Sequence, residues 1–383
     1  MRELALLFLR LGTTTFGGPA AHIAIMQDEA VRRRGWLTRE EFLDLLGATN
    51  LIPGPNSTEM AIHIGYKRRG WSGLLVAGGC FILPATVLTG VIGWAYVRFG
   101  KLPQAGWLLY GVKPVILAIV IQAIWGLVPS AARTWPLRVL AVLATVSALL
   151  GLNEVAVLFG AGAASVAWAR PWRPRPNEGS WPGFSMALLA GGVPAALSSA
   201  VSLSGIFGVF FKAGALLFGS GYVLLAFLRA DLVHRLHWLT EGQLIDAIAV
   251  GQVTPGPVFT TATFVGYVLK GPAGAAMATV GIFLPAFLFV AASGPLIPRL
   301  RASKSAGAFL DGVNVASLAL MAGVTIQLAR AAFVDLPTLA IGAVGAFLLL
   351  RYKLNSTWLI AGSAAAGLLV HITGLQAWNS NLP

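Results

Sequence analysis

Apolar residues run along this chain in long unbroken blocks, not in alternation. Blocks at Leu4–Ile25, Trp71–Val97, Trp107–Val128, Phe207–Leu228, Gly274–Leu296 and Ala306–Leu328 each approach the roughly 20 residues a helix needs to cross a bilayer. Shorter blocks at Pro136–Leu150, Val155–Ala169, Pro337–Leu350 and Thr357–His371 can cross only if tilted, paired or locally thin-walled. In hydrocarbon the backbone must satisfy its own hydrogen bonds, so every block is expected as helix. The period-two segments of a membrane barrel are absent. One apolar stretch, Phe42–Tyr66, carries Ile52-Pro53-Gly54-Pro55. Each proline lacks an N–H and disfavours helix at the preceding residue, so this stretch reads as two half-helices joined by a break.

The pattern repeats. Phe8, Gly12, Phe16 and Gly17 recur as Phe210, Gly214, Phe218 and Gly219, displaced by 202 positions. Trp36-Leu37-Thr38 meets Trp238-Leu239-Thr240, Asp44 meets Asp246, and Pro53-Gly54-Pro55 meets Pro255-Gly256-Pro257 at the same displacement. One residue is then lost: Gly65-Tyr66 meets Gly266-Tyr267, Leu83-Pro84 meets Leu284-Pro285, and Gly111-Val112 meets Gly312-Val313 at 201. An ordered series with a single indel is a true internal repeat. It divides the chain into an N-terminal unit over 1–169, a linker over 170–204 and a C-terminal unit over 205–383. The linker is rich in Arg, Pro and Trp between Arg170 and Pro182, and its apolar part, Gly183–Ser204, suits either an interfacial helix or an extra crossing.

Charge then constrains topology. Arg32, Arg33, Arg34 and Arg39 precede the broken stretch and Lys67, Arg68 and Arg69 follow it. Basic loops stay in the cytoplasm, so both ends of the stretch belong on one side and the break becomes a re-entrant hairpin. Each unit then crosses five times, and an odd count inverts the second unit. A parallel arrangement with Gly183–Ser204 spanning gives nearly the same charge tally. The expected fold is therefore an all-α polytopic membrane protein of two homologous repeats. Each repeat has about five transmembrane helices plus a re-entrant Pro-Gly-Pro hairpin, and inverted repeats are preferred over parallel ones.

Composition agrees. Of 383 residues 57% are hydrophobic and 11% charged, against about 25% charged in soluble domains. The net charge of +13 sits in short loops between apolar blocks, which points to topology signals and lipid headgroups instead of nucleic acid. A lone cysteine, Cys80, excludes an intramolecular disulfide and a Cys-based metal cluster. HExxH, GxSxG, GxxxxGK[ST] and paired CxxC signatures are missing, so neither a cofactor nor enzymatic chemistry is expected. Leu4–Ile25 is read as retained structure, not a leader, because Arg10 interrupts it and the segment recurs inside the chain.

The chemistry to expect lies at the breaks. A helix starting inside a membrane presents unpaired N–H groups and a partial positive charge, which suits an anion. Asn56, Ser57 and Thr58 supply donors after the first break; Thr254, Thr260 and Thr261 do so around the second. Phe16-Gly17-Gly18-Pro19 and Phe218-Gly219-Ser220-Gly221 let a backbone approach either an anion or another helix. Arg10 and Lys212 are equivalent cations inside apolar blocks, serving a substrate or snorkelling to headgroups. Lys113 has Asn314 as its counterpart and is expected to snorkel. Asp44 and Asp246 read as helix caps before proton carriers. Glu59, His63 and His22 have no titratable counterparts near Thr261, Phe264 or Val265, and Leu224, and read as ordinary polar contacts.

At these motifs the chain resembles the chromate ion transporter family. Phe16-Gly17-Gly18-Pro19-Ala20-Ala21-His22-Ile23 is similar to its first signature, and Pro53-Gly54-Pro55-Asn56-Ser57-Thr58 followed by Gly65-Tyr66 to its second. The repeated block Pro255–Tyr267 and the length resemble the two-domain members. The resemblance implies export of chromate, a tetrahedral dianion, across the bacterial cytoplasmic (inner) membrane by fused halves of opposite orientation. Ser220, Gly221 and Leu224 depart from Gly18, Pro19 and His22, so the halves need not serve the substrate equally. The expected site combines Arg10, Gly17, Gly18, Pro53, Gly54, Pro55, Asn56 and Thr58 with Lys212, Gly219, Pro255, Gly256, Pro257 and Thr260. Expected partners are chromate or a sulfate-like oxyanion and membrane lipid, with a coupling proton and a second copy of the chain as further candidates. Export of sulfate or another oxyanion is the nearest alternative reading. A membrane-embedded enzyme or assembly subunit is the next.

Overall fold

The computed structural model describes residues 1–15, 18–49, 51–100, 103–169, 200–218, 223–352, 354 and 356–373, and every element among them is helical. Residues 170–199 of the linker between the repeats, and with them 183–199 of the apolar stretch Gly183–Ser204, lie outside the described residues; its last two residues, Leu203 and Ser204, already belong to the first helix of the second repeat.

Helix α1 (Arg2–Thr14) stops because Thr15 is extended, at φ −92° and ψ 112°. Helix α2 (Gly18–Gln27) then begins, with Pro19 in its first turn, where a missing N–H costs nothing. It continues through a wider π-type turn over Asp28–Arg33. Arg34 just beyond it reaches Glu3 at the start of α1, 2.6 Å away. The start of α1 therefore lies beside the end of α2, and the two form a hairpin. Leu4–Ile25, expected as one crossing, is instead two short helices folded back on each other. The second repeat does the same: α8 (Leu203–Leu216) ends at an extended Leu217. It is followed by the short α9 (Leu224–Leu228) and a π-type turn over Arg229–Arg235, so Phe207–Leu228 is likewise no single span.

Helix α3 (Arg39–Thr49) starts at a reciprocal cap. The Glu41 N–H donates to Thr38 Oγ1 at 3.1 Å and the Thr38 N–H donates to Glu41 Oε2 at 2.9 Å. Helix α10 (Glu241–Val253) begins with the same device from Thr240 and Gln243. The recurring Trp-Leu-Thr is thus a helix-start signal. After the first break comes α4 (Asn56–Phe99), which turns sharply at Arg69–Gly70, where Gly70 takes φ +62°. Ile62 reaches Gly78, and Gly65 lies so close to the Gly73 carbonyl that no Cβ fits; the 71–99 arm therefore runs back along the 56–68 arm. Lys67 pairs with Glu41 at 3.2 Å, so the chain enters α3 and leaves the 56–68 arm at neighbouring points. In the second repeat α11 (Thr261–Ala302) turns at Lys270–Gly271, with Gly271 at φ +60°.

Next come α5 (Pro103–Ala131), α6 (Trp135–Leu149) and α7 (Glu154–Ala169), matched by α12 (Lys304–Ala332), α13 (Leu336–Tyr352) and α14 (Ser356–Ile372). Four stretches among the described residues are long and apolar enough to cross a membrane: Asn56–Phe99, Gly106–Pro129, Val258–Ser293 and Ser305–Ala332. The short pairs are exchanged between repeats. α6 and α7 pack on α12, while α13 and α14 pack on α5. Glycine permits both contacts, Gly111 against Ser363 and Gly367, and Gly312 against Ala161 and Ser165. The long arms of α4 and α11 pass each other in opposite directions: Gly78 meets Phe287, whereas Gly93 meets Tyr267 on the short 261–269 arm, whose Gly266 abuts Gly274 at the start of the long one.

Candidate functional site

The two Pro-Gly-Pro stretches are breaks, as the prolines require, and each is buried against the opposite repeat. Gly54 adopts φ +142° and Gly256 φ +89°, conformations that favour glycine. The Gly54 N–H donates to the carbonyl of Leu217 at 2.7 Å, and the Gly256 N–H donates to that of Thr15 at 3.1 Å. Thr15 and Leu217 occupy equivalent positions at the ends of α1 and α8, so the two bonds are images of each other. Ala286 lies over Gly54 and Ala85 over Gly256, again an equivalent pair. Interrupted backbone is thus satisfied by interrupted backbone across the repeat boundary, as a low-dielectric interior demands.

The polar side chains at the two breaks differ. The N–H groups of Thr58 and Glu59 donate to the Pro55 carbonyl at 2.8 and 3.0 Å, which starts α4 at Asn56; Asn56 itself makes a polar interaction. Thr58 and Glu59 are completely buried. Thr58 Oγ1, both Glu59 carboxyl oxygens and His63 Nε2 have no hydrogen-bond partner among the described residues. The Glu59 carboxyl folds back over Gly54 and fills the space a Cβ there would take. His22 approaches the Thr15 carbonyl through Nε2 at 3.2 Å and stands edge-on to Phe81; its Nδ1 and Thr15 Oγ1 are unpartnered. At the second break the hydroxyls are spent locally. Thr254 donates to Val250 at 3.0 Å, Thr260 to Pro257 at 2.8 Å and Thr261 to Val258 at 2.8 Å. Of the hydroxyl, carboxyl and imidazole groups beside the two breaks, the unsatisfied ones are therefore on the first repeat.

The equivalent cations sit in equivalent networks. Arg10 lies 3.9 Å from Glu29, which also holds Arg33 at 3.2 Å and Arg34 at 3.1 Å. Lys212 lies 2.9 Å from Asp231, which also holds Arg235. Both acids are buried. Their match at one displacement was present in the sequence, but the change from Glu to Asp conceals it. Lys113, expected to snorkel, instead pairs with Asp246 at 3.5 Å, and Tyr96 donates to the same carboxylate at 2.8 Å. Asp246, expected as a cap, sits inside α10, where Thr240 has taken the capping role. Asp44 is likewise interior to α3 and has a partner. Arg229, which charge patterning reads only as a basic loop residue, binds Glu241 at 2.6 Å and also Gln327. Gly18 opens α2, while Gly17 and Gly219 lie outside the described residues. Among the described residues no cluster of His, Cys, Asp and Glu is fit to hold a metal.

The family model described as chromate transporter matches the chain twice, over residues 2–166 and 204–368. A chromate transport protein of Cupriavidus metallidurans is 36% identical over 382 residues, covering 97% of this chain and 93% of that one. One from Pseudomonas aeruginosa is 32% identical, covering 95% and 91%. A probable chromate transport protein of Synechococcus elongatus is 30% identical, covering 98% and 94%. No solved structure matches. With its doubled helical units and apolar spans, the chain belongs to the chromate transporter family of multi-pass membrane proteins, and it is a transporter, not an enzyme.

Proposed function

We propose that the protein is a secondary transporter that exports chromate from the cytoplasm across the inner membrane, binding the dianion between the two Pro-Gly-Pro breaks. The reading is carried by the reciprocal hydrogen bonds of Gly54 and Gly256, which hold both breaks against the opposite repeat and make the start of α4 and of α11 face the repeat boundary. Broken helices at a repeat interface are the usual substrate seat of secondary transporters. Thr58, Asn56 and the first amides of α4 offer donors on one side; the amides that follow Pro257 offer them on the other, where the Thr260 hydroxyl, bound to the Pro257 carbonyl, shapes the seat without donating to it. Arg10 and Lys212 act through their ion pairs, setting the charge along the hairpins that end at Thr15 and Leu217.

The same geometry supports inverted repeats and re-entrant hairpins. Equivalent arms of α4 and α11 pass in opposite senses, as a two-fold axis in the membrane plane requires. The Glu3–Arg34 and Glu41–Lys67 pairs bring both ends of each first-repeat hairpin together, as a segment entering and leaving on one face does. At 13 residues α1 is about 20 Å long, two-thirds of the hydrocarbon thickness of about 30 Å, so its end falls within the membrane.

Export is the downhill direction: an inside-negative potential of 100 mV favours a departing dianion by about 4.6 kcal/mol. Inverted membrane vesicles containing the full chain should accumulate chromate in a time-dependent way when their interior is made positive. Accumulation equal to that of vesicles lacking the protein would overturn the proposal. Sulfate added as competitor reports whether the seat distinguishes tetrahedral dianions.

A further inference from the structure

We infer that Glu59 binds a proton whenever the seat at the first break binds its oxyanion, so that one proton travels with each dianion. The inference rests on the reading proposed above and adds a residue and a stoichiometry to it. Glu59 lies in the first turn of α4, has 0% of its surface exposed, and has no hydrogen-bond partner for either oxygen among the described residues. Its carboxyl is folded over Gly54, so it occupies the positive end of the helix that would hold the anion.

The surroundings leave little else to compensate a charge there. Cations on the neighbouring elements are engaged: Arg10 of α1 with Glu29, Lys212 of α8 with Asp231, and Lys67 beyond it on α4 with Glu41. The remaining titratable groups on the packed elements are His63 on the same arm and His22 on α2, which approaches the Thr15 carbonyl; Asp44 on α3 is exposed and has its own partner, and Tyr267 on α11 lies against Gly93. His63 is one turn away, 5% exposed, with Nε2 unpartnered. The second repeat has Thr260 or Thr261 in place of Glu59, both satisfied locally.

A carboxylate and a dianion cannot share one helix end without a large repulsion, because like charges at short range exclude each other. When the seat is empty, the ionised carboxylate can use the helix end itself. When the dianion arrives, it displaces that charge, and a proton from the medium neutralises the carboxylate. His63 is placed to pass the proton along the 56–68 arm. The proton leaves when the anion leaves, and the charge moved per cycle falls from two to one.

The test is binding of chromate to the purified full-length protein in detergent, in weakly buffered medium containing a pH indicator. At pH values high enough to ionise Glu59 in the empty protein, the wild type should take up one proton per chromate bound and its affinity should fall about tenfold per pH unit. Glu59→Gln should bind chromate without proton uptake and with an affinity flat in pH. Binding by the wild type without proton uptake would overturn the inference while leaving the seat in place. Undiminished uptake in Glu59→Gln would do the same. Absence of chromate binding by the wild type would overturn the seat itself. If Glu59→Gln fails to fold, the wild-type stoichiometry alone decides.

Discussion

Gly256 carries two constraints at once. Its φ of +89° strains any other residue, and a Cβ would come within 2.8 Å of the Ala85 Cβ and 3.0 Å of the Gly12 carbonyl. Gly256→Ala should therefore destabilise the protein by about 2 kcal/mol or more, lowering the unfolding temperature in detergent and abolishing vesicle transport. Unchanged stability would mean the break is not held as described. Lys113 tests a different interaction. Asp246 keeps only the Tyr96 hydroxyl once the ammonium is removed, so Lys113→Ala should cost about 3 kcal/mol. A double replacement, Lys113→Met with Asp246→Leu, should recover most of it because no buried charge is then unpaired; a double variant as unstable as the single would refute the pairing. At this scale the sequence was informative for backbone and poor for side chains. Proline and glycine fix local dihedrals wherever they stand, so both breaks were legible. Whether Lys113 meets a carboxylate depends on which helix lies opposite, and nothing within its own segment records that. The repeat even misled: Asn314 in the matching place made Lys113 look dispensable, when its partner is on the other repeat.

Among the elements, the hairpins show why hydropathy alone overcounts spans. Leu4–Ile25 is apolar enough to cross, but Thr15 leaves the helix and α2 restarts at Gly18. A window of hydropathy averages over such a break; Pro19 in the first turn of α2 was its clearest trace. The Pro-Gly-Pro stretch escaped this error because two prolines cannot be averaged away. The start of α10 offers a separate test, since its cap lies at the periphery of the candidate site. Thr240→Ala removes the acceptor for the Gln243 N–H and should cost about 1 kcal/mol with transport retained. Thr38→Ala at the start of α3 should behave alike, because the Trp-Leu-Thr signal does the same work in both repeats. Measuring both unfolding temperatures checks this, and a large loss in one alone would show that the equivalence ends at the sequence.

For the whole molecule, exchange of the short helices joins the two repeats along their sides. α6 and α7, of 15 and 16 residues, are about 23 Å long and lie against the longer α12, while α13 and α14 lie against α5. The repeats thus share their lateral walls, and neither the proposed seat nor the wall is complete without the other half. Internal repetition was readable from the sequence; the exchange was not, because matching segments carry the same signal whichever copy they pack on. The opposed arms of α4 and α11 support the proposed inversion of the repeats, which has an observable consequence. The loops at Thr134 and Val334 occupy equivalent places after α5 and α12, and both residues are exposed. In inverted repeats they open on opposite faces, Thr134 to the cytoplasm beside Arg133 and Arg138. With Cys80 replaced by serine, Thr134→Cys should react with a membrane-impermeant maleimide only in inverted vesicles, and Val334→Cys only in intact cells. The chemistry of the seat depends on this outcome. Opposed repeats bring the α4 and α11 starts toward one boundary from opposite faces, so an anion between them meets two positive helix ends and can be passed from one face to the other. Labelling of both cysteines from one face would place the repeats parallel, directing both helix starts the same way and leaving the dianion with no symmetric seat.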